Sequence, residues 1–490
     1  MSGLQAITNI YASGTASVGK IRLQTDPMGA RQKEPLDELF SENIAAKIIR
    51  TAQKHILDNN PPSQYPHIVP QNGQDVGQYL SKGIDFWTCG FFPGSIYSLL
   101  ERAIKYPNRL RVTGVELKSL RQALESLGKT WSDPIHGESR LTNTHDLGFI
   151  MMTHMKPRWE FFHDEKALAT IITAANSLYT RYNSKVGAIR CWDELVWTNA
   201  PHIRGMDENF IVIIDSLCNL DLLFYAAAHS GSSHLSDAAR HHAHTLIRTH
   251  LREEPSVCRP GYSGMLYSTG HVVSFCPKTG RVKEKRTAQG FDEHSTWSRG
   301  QAWAILGYAQ TYVWTNDETF LGVACGLAEY FLLRMEMAPS RVEIPMANGT
   351  TSGRYVPMWD FDAPIGTDGS LLRDTSAGTA AANGMLILSQ ALTRLGRCDM
   401  GKRYLKAALT IVEDTISHSL SSERAKLVIK ENGDIGGIDE LEGSTFEAVL
   451  KNATVSNNAL GYAQIADHGL VYADYYLIEF GTQLLRLGLA

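Results

Sequence analysis

Two kinds of helical segment alternate along this 490-residue chain, and the alternation narrows the folds open to it. One kind is amphipathic. Over 43–59, Ile44, Ile48, Ala52 and Ile56 recur at i+4 while Lys47, Arg50 and Lys54 fall elsewhere, which predicts a helix with one wet face. The same pattern recurs over 116–128, 165–182, 236–251, 317–335 and 401–420, the last with a stripe of Leu405, Ala408, Leu409, Val412 and Ile416. The other kind is apolar or small nearly all round, over 90–105, 146–156, 209–229, 296–314, 374–396 and 469–488. A helix apolar on every side belongs in an interior. Strict alternation of the two, wet-faced then buried, predicts six inner and six outer helices: an all-α (α/α)6 barrel, one domain over 41–490. A superhelical solenoid would need a near-constant period, and the long loops 252–295 and 336–373 break it. The first of these, with Gly270-His271-Val272-Val273-Ser274-Phe275, has room for a hairpin. Residues 1–40 lack periodicity and are expected to form an N-terminal extension that wraps the surface or frays.

Composition excludes several classes of function. Hydrophobic residues make up 43% of the chain, enough for a large core. The 47 basic and 51 acidic side chains leave a net charge of −4, with no footprint for nucleic acid or an anionic membrane. No run of 18 apolar residues occurs, and Met1 to Lys20 holds no apolar stretch behind a basic start, so neither a membrane span nor a signal peptide is expected. Cys89, Cys191, Cys218, Cys258, Cys276, Cys325 and Cys398 are odd in number and scattered, which suits free thiols in a reducing compartment and a cytoplasmic location. No phosphate loop or dinucleotide fingerprint follows a strand, so no cofactor is expected. His241, His242 and His244 lie on an outer helix without tetrahedral ligand spacing; a solvated face is expected there, and no metal.

Polar and aromatic residues gather where the buried segments begin. Asp215 follows Phe210-Ile211-Val212-Ile213-Ile214 within an apolar stretch, where desolvation raises a carboxyl pKa unless the group is paired. A structural carboxylate satisfied by backbone or an arginine, and a catalytic one, stay equally open on spacing alone. Asp146, at the start of another buried segment, is a possible partner; two neighbouring carboxylates drive their pKa values apart. Asp374, before Thr375 and Ser376, suits a helix cap, and Asp474 suits a structural role. Arg299, on a buried segment, requires an acid or an anionic ligand. Trp87, Trp297, Trp303 and Trp359 suit either core or a sugar face.

Ordered motifs carry a resemblance. Trp87-Thr88-Cys89-Gly90-Phe91-Phe92-Pro93-Gly94, Thr144-His145-Asp146-Leu147-Gly148-Phe149 and Ile213-Ile214-Asp215-Ser216 come first. Thr287-Ala288-Gln289-Gly290 then leads to Ser295-Thr296-Trp297-Ser298-Arg299-Gly300-Gln301-Ala302-Trp303. Trp359-Asp360-Phe361-Asp362, Arg373-Asp374-Thr375-Ser376 and Tyr472-Ala473-Asp474-Tyr475-Tyr476 complete the set. Together these resemble the unsaturated glucuronyl hydrolases of glycoside hydrolase family 88, from residue 87 to about 480. The resemblance implies an (α/α)6 barrel, an acid/base aspartate at Asp215 and a second essential aspartate at Asp146. It implies a pocket lined by His271, Gln289, Trp297, Arg299 and Trp303, with Trp87 and His145 nearby. The implied partner is an oligosaccharide ending in a 4,5-unsaturated glucuronic acid, acted on by hydration of the C4=C5 bond; the protein is expected as a monomer or small homo-oligomer. The run from Gly264 to Gly270 departs from the family before His271, and 421–458 diverges, so the leaving sugar is not named by it. Alternatives are an unsaturated rhamnogalacturonyl hydrolase acting on pectin fragments, a hydrolase of saturated glycosides, and an inactive sugar-binding relative.

Overall fold

The computed structural model describes residues 35–198, 200–346, 349–365, 371–461 and 463–490. Most of the expected extension, 1–34, lies outside the described residues. Pro35–Phe40 form a 3-10 turn with Leu39 and Phe40 buried against the barrel.

Twelve α-helices occur among the described residues: α1 (Glu42–His55), α2 (Phe91–Lys105), α3 (Leu117–Ser132), α4 (Leu147–Phe162), α5 (Glu165–Tyr179), α6 (Leu220–Ser230), α7 (Ser233–Thr249), α8 (Ser298–Thr315), α9 (Glu318–Glu336), α10 (Thr375–Arg394), α11 (Cys398–Ser419) and α12 (Val471–Arg486). The even-numbered helices pack in the order α2, α4, α6, α8, α10, α12, and α12 returns to α2 to close the ring. Their outer partners lean on them, α3 on α2, α5 on α4, α7 on α6, α9 on α8 and α11 on α10, while α1 sits beneath the hairpin of Ala425–Ile429 and Ile435–Asp439. The architecture is the (α/α)6 barrel the alternation predicts. In α3 the logic is plain: Leu120, Leu124, Leu127 and Trp131 are buried, while Lys118, Arg121 and Glu125 face out.

Close approach of the inner helices depends on glycine. A Cβ at Gly307 of α8 would fall 2.5 Å from the Leu217 Cβ and 2.7 Å from its backbone carbonyl carbon. One at Gly384 of α10 would fall 2.9 Å from Ile305 Cγ2 and 3.0 Å from Leu306 Cα.

Two expectations are corrected. Residues 209–229 are not one helix: Phe210–Ile213 form a strand, Ile214–Asn219 a 3-10 turn, and the helix starts at Leu220. The strand pairs antiparallel with Val272–Phe275, Ile213 opposite Val272, and that strand forms a hairpin with Val282–Arg286. Ile211, Val212, Ile213 and Ile214 are β-branched and favour the extended chain, and a short apolar run has no period that separates strand from buried helix. Second, the 241–244 histidines are not all on a solvated face, although His241 is exposed and His244 partly so. His242 is buried, accepting from the Ile189 N–H at 2.9 Å and meeting the Ser216 hydroxyl at 2.8 Å. It ties α7 to the turn that carries Asp215.

Candidate active site

Asp215 sits on the 3-10 turn between the Phe210–Ile213 strand and α6. The turn is held on both sides: the Ile214 N–H donates to the His271 carbonyl at 3.0 Å, and Ser216 meets His242. Such anchoring fixes the carboxyl in an apolar setting, where it is 9% exposed. Burial pushes its pKa up to about 7; the Asp146 charge adds to the rise and the Arg299 charge opposes it.

His271, on the hairpin side of the turn, faces this group. Its Nδ1 accepts from the Ala288 N–H at 3.2 Å, so the hydrogen-bond network assigns the proton to Nε2, which lies 3.6 Å from Asp215 Oδ2. Burial, with Arg299 nearby, lowers the His271 pKa to about 3 and keeps the ring a neutral donor. At 3.6 Å the two atoms are not hydrogen-bonded, and both lack a partner within the protein.

Asp146 precedes α4 and accepts from the Thr144 hydroxyl at 2.8 Å. His145 Nε2 lies 3.4 Å from Asp146 Oδ1, and its Nδ1 faces the Cys191 carbonyl at 3.3 Å; burial lowers the His145 pKa. Both residues are thereby placed at the N-terminal mouth of the barrel, beside Asp215.

The rest of the wall comes from the start of α8 and the loops before it. Trp297 lies at the α8 N-terminus, its ring 4.5 Å from His271. Trp303, one turn in, packs on Phe149, which touches Trp87, and Trp87 lies 5.0 Å from Tyr472. Gln289 is set by its carbonyl, which accepts from Trp359 Nε1 at 3.0 Å. Asp360 in turn accepts from the Phe291 N–H and the Ser295 hydroxyl, so the Trp359-Asp360 motif braces the Gln289 loop. Arg299 is buried in an ion pair with Asp374 and donates to the carbonyls of Thr454 at 2.8 Å and Val455 at 2.6 Å. Its guanidinium lies 4.5 Å from the Trp297 ring and 5.6 Å from Tyr472, so what it presents to the pocket is chiefly positive potential. Asp374 also caps α10 through the Ser376 N–H, as its sequence setting suggests. Asp474 accepts from the Val449 and Leu450 N–H groups and from the Tyr79 hydroxyl, a structural carboxylate.

All nine residues singled out from the sequence thus gather at the N-terminal ends of the inner helices. One further group joins them: Tyr472, first turn of α12, whose hydroxyl is buried without a partner. Its motif was visible, but only the packing places its ring over Arg299. The same lack of a partner marks Nε2 of His145 and His271, Oδ2 of Asp215, Oε1 of Gln289, and Nε1 of Trp297 and Trp303. Each such group costs about 1–3 kcal/mol when left unpaired, and a cluster of them at one point is the mark of a polar ligand's seat. A cavity of about 870 Å³ lies elsewhere in the barrel and is lined by none of the nine.

An (α/α)6 barrel with a buried carboxyl of raised pKa set among aromatic rings and unpartnered polar groups suits a glycoside hydrolase. No protein-family profile matches the chain. It is 29% identical over 401 residues, 80% of its length and 78% of the relative's, to an unsaturated glucuronyl hydrolase of Formosa agariphila. It is 28% identical over 455 residues to an unsaturated chondroitin disaccharide hydrolase of Streptococcus pyogenes serotype M1, covering 93% of this chain and 94% of that one. A solved unsaturated glucuronyl hydrolase specific for heparin superposes with a TM-score of 0.66 at 27% identity, over 93% of this chain and 97% of its own. The chain is a homologue of the unsaturated glucuronyl hydrolases, the family its motifs resemble.

Proposed function

We propose that this enzyme hydrolyses oligosaccharides bearing a 4,5-unsaturated glucuronic acid at the non-reducing end, by hydration of the C4=C5 bond. The observation that carries the reading is a buried Asp215 with a pKa near 7, surrounded by donors that lack partners within the protein.

The unsaturated ring is an enol ether. Protonation at C4 leaves positive charge shared between C5 and the ring oxygen, and a carboxylic acid still protonated near neutrality can supply that proton. Water then adds at C5 and returns a proton to the Asp215 carboxylate, regenerating the acid. The hemiketal at C5 opens to a keto acid and releases the remaining sugar, so one water is consumed and no net proton is. Because one aspartate serves both steps, the separation of two carboxyls does not report stereochemistry as it does in ordinary glycosidases. Asp146, in reach of Asp215 and braced by Thr144 and His145, holds and tunes the acid. His271 Nε2–H, the Trp297 and Trp303 indole N–H groups and the Tyr472 hydroxyl are the donors we assign to the sugar's carboxylate and hydroxyls, and the Gln289 Oε1 accepts from a hydroxyl. Arg299 adds the positive potential that favours an acidic ring, and Trp87 an apolar wall.

No helix among the described residues is long and apolar enough to cross a membrane. All seven cysteines are free, with Cys258 and Cys398 exposed, which supports a cytoplasmic, reducing setting.

The test is an absorbance assay over a panel of lyase-made disaccharides from chondroitin, heparin, glucuronan and pectin. Loss of the chromophore of the unsaturated ring is expected for at least one glucuronyl substrate. Turnover confined to the pectin-derived sugar would move the activity to unsaturated rhamnogalacturonides, and binding without any fall in absorbance would remove the hydrolase reading.

A further inference from the structure

The barrel has a second chamber. Phe91, Phe149, Trp303, Tyr472 and Tyr476 form an aromatic floor beneath the Asp215 site, with Phe149 and Trp303 5.1 Å apart and Trp303 and Tyr476 5.5 Å apart. Beyond that floor, the more C-terminal parts of the six inner helices line a cavity of about 870 Å³ that opens to solvent. Its size is within the range of roughly 300–1,000 Å³ typical of small-molecule sites.

Packing alone would fill such an interior with apolar side chains, yet each inner helix contributes a polar one. Glu101 comes from α2, Lys156 from α4, Asp221 from α6, Gln310 from α8, Gln390 from α10 and Glu479 from α12. Their charges are compensated locally. Asp221 Oδ2 lies 4.0 Å from Lys156 Nζ, and its Oδ1 accepts from Trp314 Nε1 at 2.6 Å. Arg486 donates to Glu101 at 2.9 Å and to Glu479 at 2.6 Å. The Gln310 carbonyl oxygen is buried without a partner. Two indoles, Trp159 and Trp314, stand on the wall beside these groups.

Flat aromatic faces next to fixed, charge-compensated hydrogen-bonding groups suit an uncharged ring with many hydroxyls. A charged ligand would have to break pairs already made. We propose that this cavity is a second binding site, separated from Asp215 by the aromatic floor, for a neutral saccharide of one or two rings. An apolar ring face stacks on Trp159 or Trp314, and hydroxyls bond to the Gln310 carbonyl and the Asp221 carboxylate.

Calorimetric titration of the full chain with glucose, galactose, N-acetylglucosamine, rhamnose and maltose tests this, with glucuronate and methylammonium as charged comparators. At least one neutral sugar is expected to bind the wild type and Asp215→Asn alike, and at least about tenfold more weakly to Gln310→Leu and Asp221→Asn. Circular dichroism checks that each variant is folded; Gln310→Leu keeps the volume and decides the matter if Asp221→Asn unfolds. Absence of binding by every neutral sugar, equal affinity in Gln310→Leu, or tighter binding of glucuronate or methylammonium lost in that variant would each overturn the proposal. The inference does not depend on the hydration chemistry, since Asp215→Asn is expected to bind normally here whatever its turnover.

Discussion

Asp215 derives its chemistry from where its carboxyl is buried, and that burial makes opposite demands on activity and stability. With a folded pKa near 7 against an ordinary 3.8, the folded state holds the proton more tightly than the unfolded chain. Raising pH between those values therefore erodes stability, and above about 7 the penalty is constant. Asp215→Asn removes it. The variant should lose turnover by about 10²–10⁴-fold yet match the wild type in urea melts at about pH 4 and exceed it by on the order of a few kcal/mol at about pH 8. In the wild type, kcat/KM should hold steady in acid and fall as pH rises through about 7, because the acid form is the one required. A rate that climbs through that range would make Asp215 a base only. Arg299→Ala makes a different prediction. It strands Asp374, which is fully buried, and should destabilise the fold by about 3–5 kcal/mol in equilibrium unfolding. A variant of unchanged stability would show that the ion pair holds nothing together.

Individual helices were largely legible. The 43–59, 165–182 and 401–420 periodicities correspond to Glu42–His55, Glu165–Tyr179 and Cys398–Ser419, because a wet face repeats every third or fourth residue whatever lies around it. The approach to Asp215 was not legible as a strand. A run apolar on every side carries no period, and the pairing of Ile213 with Val272 joins residues far apart in the chain. Nor did the charge pattern of α9 reveal its anchor. Glu329, fully buried on that outer helix, accepts from Arg259 Nε at 3.0 Å and from Arg403 Nε and Nη2 at 2.7 Å, tying the loop after α7 and helix α11 to α9. Glu329→Gln should cost about 2–3 kcal/mol in chemical unfolding, below the ~3–5 kcal/mol of a fully buried pair because Arg403 retains solvent. A loss under about 0.5 kcal/mol would mark the cluster as an ordinary surface pair.

At the scale of the whole barrel, function depends on how tightly the ring closes. Gly307 lets α8 press against Leu217, which lies between Asp215 and Asn219 on the turn that carries Asp215. Gly307→Ala gains about 1 kcal/mol of helix propensity but meets backbone atoms at 2.7 and 2.9 Å, which forces a shift. The net expectation is a loss of about 1–2 kcal/mol together with a lower kcat, since the displaced turn carries Asp215. Thermal midpoint and kcat measured side by side check this; a stabilised variant with full activity would show that the contact has slack. The sequence by itself determined the helix order, the inner and outer ranks and the motifs that hold the candidate site residues, because periodicity and motif are local in the chain. Only the tertiary structure decided that Arg299 is occupied by Asp374, that His271 presents Nε2–H to Asp215, that Tyr472 joins the same cluster, and that Phe149 and Trp303 pack between that cluster and the cavity of about 870 Å³. Those depend on which distant segments meet and how much water they exclude, and neither quantity is written in any local stretch of residues.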